Sequence, residues 1–147
     1  MILYHGTNAE IMQIDLAQSR VGKDFGLGFY LTPDKNVAQR QVERKFVQYG
    51  DGAVRVYEYS IADSCFKELK VLQFDSYSLE WSQFILQNRK NRTHTQLHDY
   101  DVVGFQIRRI VEGIITEQQF LEEIKFHTVT IQYMFATQKA INMLQQL

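Results

Sequence analysis

A single cysteine, Cys65, stands in a chain of 147 residues, so no disulfide within the chain can brace the fold. Cys65 lies between Ser64 and Phe66, with no histidine or basic residue directly beside it, and reads as structural or incidental rather than as an activated thiol. One proline and eight glycines leave no segment with the composition of a disordered linker. No apolar run approaches the length that spans a bilayer, and no charged-then-apolar leader stands ahead of Met1-Ile2-Leu3. The expectation is a cytoplasmic protein without membrane contact, or an effector exported without a visible address. Charge of one sign is also lacking: 16 Lys and Arg against 17 Asp and Glu give a formal net charge of -1. Such a balance gives no overall attraction to nucleic acid or anionic lipid, and either would need a local patch. His5, His94, His98 and His127 are scattered. His94 and His98 share an i, i+4 spacing but have no acidic third ligand placed as zinc requires, so no metal site is expected.

What is present fits one soluble domain covering 1–147. Hydrophobic residues make up 45% and charged residues 22%, enough for a real core at this length. Aromatic residues at 13% suit a core built from Phe and Tyr, and suit a stacking site equally well. Met1 to His5 and Phe25 to Leu31 read as strands, the second entered through glycines. Thr32-Pro33-Asp34 is a helix start, with Thr as the cap and Pro at the first helical position. That helix runs to about Tyr49 and ends at Gly50-Asp51-Gly52. Ala53 to Ile61 alternates with period two, as a half-buried strand does, and Val71 to Phe74 is a further short strand.

Leu79 to Arg89 places Trp81, Phe84, Ile85 and Asn88 on one helical face, and the polar stretch from Arg89 to His98 reads as a loop. Asp101 to Gly104 is a short apolar strand. Thr116-Glu117-Gln118-Gln119 has the capping-box form and opens a helix to about Lys125. Thr130 to Phe135 is strand-like, and Thr137 caps a terminal helix ending in Leu144. There is no internal repeat and no regular βαβ rhythm, so an α+β fold is expected over a doubly wound one.

Two motifs carry the chemistry. The chain opens with Leu3-Tyr4-His5-Gly6-Thr7, and further on reads Gly22-Lys23-Asp24-Phe25-Gly26-Leu27-Gly28-Phe29-Tyr30-Leu31-Thr32. The glycines let backbone pass close to a ligand or a neighbouring strand. Phe29-Tyr30-Leu31 continues as strand and no third glycine follows, so the segment is not a dinucleotide-fold fingerprint. In this order and spacing the two motifs resemble the first two active-site strands of ADP-ribosyltransferases of the His-Tyr-Glu type, the branch of diphtheria toxin and the poly(ADP-ribose) polymerases. More closely, nearly the whole chain resembles a bacterial family of uncharacterised ADP-ribosyltransferase-like domains that often sit in toxin–antitoxin gene pairs.

The resemblance implies a split-sheet α+β core with flanking helices that binds NAD as substrate. The implied product is ADP-ribose joined to a macromolecular acceptor, protein or nucleic acid, with NAD hydrolysis as a side activity. A small antitoxin protein is the implied partner. It further implies that His5 bonds a ribose hydroxyl and the Gly6 backbone pairs with the nicotinamide carboxamide. Thr7 would complete the pocket wall, Phe25 and Gly28 would line it, and Tyr30 would stack on nicotinamide. The family's late-strand Glu corresponds to Gln132, and the bacterial family tends to carry Gln there. Gln can bond a ribose hydroxyl but can neither act as a base nor offset positive charge. The polymerases' second stacking Tyr is absent, since that region reads Ala38-Gln39-Arg40-Gln41.

Read from the residues alone, each position also has a structural account. His5 can be a satisfied histidine ending a strand, the glycine segment a bulge beside a core Tyr, and Gln132 an edge-strand residue. Asp24, Asp99, Asp101, Glu122 and Glu123 are the carboxylates that could stand in for a Glu. Arg20, Lys23, Arg40 and Arg89 are the candidates for a pyrophosphate. The alternative function is a catalytically inert domain of the same fold that binds a nucleotide or a protein partner.

Overall fold

The structure, a computed structural model, describes residues 1–50, 52–75, 78–105 and 131–147. The helix expected from Thr116 to Lys125, together with Glu122, Glu123, His127 and Thr130, lies outside the described residues. The described strands are β1 (Ile2–Thr7), β2 (Phe29–Leu31), β3 (Arg55–Ser60), β4 (Val71–Phe74), β5 (Val102–Phe105), β6 (Gln132–Phe135) and β7 (Gln145–Gln146). The helices are α1 (Lys35–Tyr49), α2 (Leu79–Lys90) and α3 (Gln138–Ile141). They build a mixed α+β domain with two sheets: a three-stranded one in the order β1-β3-β7, and a four-stranded one in the order β2-β6-β5-β4. Among the described strands only β4 and β5 run parallel. No helix among the described residues is long and apolar enough to cross a membrane.

Alternation along the strands divides the interior into two layers. Leu3 and Tyr59 from the first sheet meet Leu31, Val102, Tyr133 and Phe135 from the second, closed at one end by Ala140 and Ile141 of α3. The opposite face of the four-stranded sheet presents Phe74, Val103, Phe105 and Met134 to α2, whose Ile85, Trp81 and Phe84 cover it. Strand β5 is buried at all four positions, as expected of a strand covered on both faces. On the first sheet, α1 packs over Gly6. A Cβ there would run into the Ala38 carbonyl and stand 3.3 Å from Val42, so this glycine sets the approach of helix to strand.

Three expectations need correction. The strand expected from Phe25 shrinks to Phe29–Leu31 because residues 23–27 form a turn instead. Gly26 takes φ 90° and bonds back to the Lys23 carbonyl at 3.1 Å. Thr32 is not the helix cap. It is bridged to Tyr4, and a residue before proline favours extended backbone, so α1 starts two residues later. Asp34 is the cap, accepting from Asn36 N–H at 2.9 Å, and Thr32 Oγ1 supports it by accepting from Asp34 N–H. At the C-terminus Thr137 does cap a helix, accepting from Ala140 N–H, but α3 is a single turn. The chain then extends, and Gln145 and Gln146 pair with Ser60 and Tyr59.

Candidate functional site

The two sheets touch along β1 and β2 and then part. Tyr4 and Thr32 exchange both backbone hydrogen bonds, at 2.8 and 2.9 Å. In an antiparallel ladder alternate residues turn their backbone groups to opposite sides. Tyr4 and Gly6 therefore both turn away from β3 and toward β2. Tyr4 finds a strand partner there, and Gly6 does not, because the bridge goes no further than Tyr4 and Thr32. The Gly6 N–H and C=O thus face the gap where the sheets split.

His5 spans that gap with its side chain. Its Nδ1 lies 2.7 Å from the Tyr30 carbonyl oxygen. A carbonyl only accepts, so Nδ1 carries the proton and Nε2 is left as a bare acceptor. No protein donor falls to Nε2 among the described residues. Burial lowers the His5 pKa from 6.5 to about 4; the Tyr30 bond works against this, and the nearby charges of Lys45 and Lys23 add to it. The ring is neutral at physiological pH. It also packs on Phe29, with ring centroids 4.2 Å apart.

Tyr30 is held differently. Its hydroxyl donates to the Gly26 carbonyl at 2.7 Å and accepts from Phe25 N–H at 3.0 Å, so the phenol closes the turn behind its own strand. Burial pushes its pKa well above the ordinary tyrosine range. What Tyr30 offers a ligand is its ring face, over which the Lys23 ammonium stands 5.2 Å from the centroid. Gln96 clamps the same turn, accepting from Leu27 N–H at 3.0 Å and donating to the Leu27 carbonyl. His98 adds a bond from Nε2 to the Phe25 carbonyl at 2.8 Å, and Ser19 Oγ both accepts from and donates to the Gly28 backbone.

Two adjoining cavities open at the split and share His5, Tyr30, Arg20, Lys23 and Lys45. One, of about 650 Å³, runs past Thr7, Gly28 and Phe29 under the segment from Asn8 to Ser19. The other, of about 490 Å³, is walled by Gly6, Gln132, Asp24 and the α1 residues Gln41, Arg44 and Lys45. Each falls within the size range of small-molecule sites.

Of the residues singled out by sequence, His5, Gly6, Tyr30 and Gln132 line one cavity, and Thr7 and Gly28 line its neighbour together with His5 and Tyr30. Thr7 Oγ1 is engaged locally, accepting from Ala9 N–H at 3.1 Å. The space over the Gly28 α-carbon is filled by Met134, so the missing Cβ admits that side chain rather than a ligand. Phe25 lines neither cavity. It is 1% exposed in the core under α2 and stacks on Tyr30 from within.

Asp99 and Asp101 lie away from the split. Asp99 pairs with Lys70, and Asp101 accepts from Lys70 N–H and Thr137 Oγ1, which ties β4, β5 and α3 together. Asp24 does line the second cavity, but it is paired with Arg89. That pair removes Arg89 from the cations open to a ligand, and Arg40 sits in a separate shallow depression.

Residue reading missed Lys45, Gln96 and Ser19. Lys45 had a visible signal: Ala38, Val42 and Lys45 follow the i, i+4, i+7 spacing of one helical face, and a cation on an otherwise buried stripe points inward. Gln96 and Ser19 act across 69 and 9 residues and left no local trace.

No curated protein matches the chain. A family model described as a protein of unknown function, DUF3990, matches residues 1–146, and the chain belongs to that family.

Proposed function

We propose that this protein is an NAD-dependent ADP-ribosyltransferase built on the split-sheet fold of the diphtheria-toxin and poly(ADP-ribose) polymerase branch. The observation that carries the reading is the shared cavity of His5, Gly6, Tyr30 and Gln132, drawn from β1, β2 and β6 to the point where the sheets part. His5 Nε2, held as an acceptor, takes a hydrogen bond from a ribose hydroxyl. The unpaired Gly6 N–H and C=O suit the carboxamide of nicotinamide, which needs one donor and one acceptor side by side. The Tyr30 face stacks on the nicotinamide ring, and Gln132 bonds a second ribose hydroxyl.

In the reaction, the bond between ribose C1′ and nicotinamide breaks and the electron pair leaves with nicotinamide. The acceptor's nucleophile then bonds to C1′ and releases its proton to solvent. With water in that role the product is ADP-ribose. The preorganised groups favour the oxocarbenium-like state over the ground state, which is the condition for rate acceleration. The resemblance to toxin–antitoxin gene pairs extends the proposal to a cytoplasmic toxin restrained by a small antitoxin protein.

A second reading has its own support. Gln132 carries no charge, and the carboxylate lining its cavity, Asp24, is occupied by Arg89. A binding module without turnover would have that arrangement. Incubation with NAD, followed by mass spectrometry for released nicotinamide, separates the two. Turnover is expected from the wild type, with Gln132→Ala costing about 1–3 kcal/mol of transition-state stabilisation. Gln132→Glu is expected to raise hydrolysis and add a carboxylate limb to the pH profile. NAD-dependent thermal stabilisation without nicotinamide release from either the wild type or Gln132→Glu would leave the binding module standing.

A further inference from the structure

Three cations from three separate segments meet where the two cavities join. Arg20 follows a 3-10 turn at Leu16–Gln18, Lys23 belongs to the glycine-rich turn, and Lys45 lies on the inner stripe of α1. Each lines both cavities. None forms an ion pair among the described residues: the four pairs there are the N-terminus with Asp63, Lys35 with Glu58, Lys70 with Asp99, and Arg89 with Asp24. Arg44 adds a fourth positive group to the wall of the second cavity. Of the nearby carboxylates, Asp24 offsets part of the charge on Lys23. Asp24 is held by Arg89, Asp15 caps the short turn by accepting from Ala17 N–H, and Glu10 lies at the exposed rim of the first cavity.

Placing three like charges together, two of them on the half-buried Lys23 and Lys45, beside a single carboxylate that is shared with Arg89 is unfavourable in the empty protein. The cost shows in the lysines themselves. Burial lowers the Lys45 pKa, with Lys23 and Arg20 adding to the effect, and burial lowers that of Lys23, with Arg20 adding to it. An anion of matching charge entering the junction would remove that repulsion and gain charge-assisted hydrogen bonds from all three.

We propose that Arg20, Lys23 and Lys45 form a subsite for the pyrophosphate of the bound dinucleotide, placed so that its two halves extend into the two cavities. The assignment rests on the dinucleotide reading of the cleft and adds the chemistry that spans its centre. It also gives Lys23 two positions: over the Tyr30 ring when the cleft is empty, and on a phosphate when it is filled.

The test is calorimetric titration of the wild type, Lys45→Met, Lys23→Met and Arg20→Gln with inorganic pyrophosphate, ADP-ribose and NAD, at low and moderate salt. The expected result is that all three ligands bind the wild type, more weakly as salt rises. Each variant should weaken each ligand by about 10- to 100-fold, the range for losing a hydrogen bond to a charged group. The empty Lys45→Met protein should melt no lower than the wild type, because its repulsion is relieved; a lysine with a purely structural role would give a lower melting temperature. NAD binding that is unchanged in all three variants overturns the subsite and leaves the dinucleotide reading intact. Pyrophosphate binding that the variants weaken, with NAD and ADP-ribose silent, supports a phosphate subsite whose ligand is a free phosphate and removes the dinucleotide. Silence of all three ligands removes both.

Discussion

His5 and His98 make the same first bond, each from one ring nitrogen to a backbone carbonyl, Tyr30 for His5 and Phe25 for His98. They differ in the second nitrogen. His98 Nδ1 accepts from Tyr100 N–H at 3.2 Å, so both of its polar atoms serve the fold. His5 Nε2 has no such partner among the described residues, and its ring lines both cavities. The difference is one of availability: the second nitrogen of His98 is spent on the fold, and that of His5 is open on a cavity wall. An acceptor open on a cavity wall can take a hydrogen bond from a ligand, whereas one already bonded to backbone cannot.

Acid gives the largest test of this comparison. Folded His5 resists protonation until about pH 4, whereas the unfolded chain takes up that proton near 6.5. Between those values the unfolded state binds more protons. Stability from His5 is therefore fully present above pH 6.5 and is lost as pH falls toward 4, by about 3 kcal/mol at most. The His98 pKa is also lowered, chiefly by burial, and acts in the same direction. Urea unfolding across this range should show a shallower acid loss in His5→Phe than in the wild type. Parallel curves for the two proteins would mean that His5 is not held neutral.

Exchanging the two residues separately should split stability from binding. His98→Phe strands the Phe25 carbonyl and Tyr100 N–H inside the fold and should cost about 1–3 kcal/mol in chemical denaturation, with the NAD-dependent rise in melting temperature retained. His5→Phe leaves the Tyr30 carbonyl beside the cavity, where water can reach it. Its stability cost should be under about 1 kcal/mol at neutral pH, while the NAD-dependent rise disappears. Equal ligand responses from the two variants would break the comparison.

A smaller effect is expected from Gln96→Ala, which removes both bonds to Leu27 but leaves the Tyr30 and His98 bonds to the turn. A loss of about 1–2 kcal/mol is the expectation, with slower proteolysis of the turn than in a Tyr30→Phe, Gln96→Ala double variant. Asp34→Ala is the smallest and lies far from the ligand. Loss of the α1 cap should cost about 1 kcal/mol and leave NAD affinity unchanged, which controls for destabilisation alone.

Much of the fold was legible because its signals are local. The helical spacing of Trp81, Phe84, Ile85 and Asn88, the alternation before Ile61, and the cap at Thr137 each depend on neighbours within a turn or a pleat, and α2, β3 and α3 form where they indicate. The errors arose where a distant partner overrode a local signal. Thr32 looks like a cap, but its backbone is taken by Tyr4. Phe25 to Gly28 look like strand, but their backbone groups are taken by the side chains of Gln96, His98, Tyr30 and Ser19. Met143 and Leu144 look like the end of a helix, but the helix stops at Ile141 and the chain extends so that Gln145 and Gln146 complete the edge of β3.

By itself the sequence determined the residue types available for chemistry: an acceptor histidine followed by glycine, a tyrosine entered through glycines, a glutamine on a late strand, and an overall charge too balanced to attract a polyanion. Only the tertiary structure decided which of these meet, because strand order is a property of long-range pairing. It set β2 between β1 and β6, parted the sheets after a single bridge, and so left the Gly6 backbone and His5 Nε2 without a partner among the described residues, on a cavity wall. It also decided which cations count. Arg89 was taken by Asp24 and Arg40 turned outward, whereas α1, docked through Gly6, brought Lys45 within electrostatic reach of Lys23 and Arg20. A local charge can outweigh a net charge near zero when folding gathers cations from separate segments and leaves the carboxylate beside them shared with another partner.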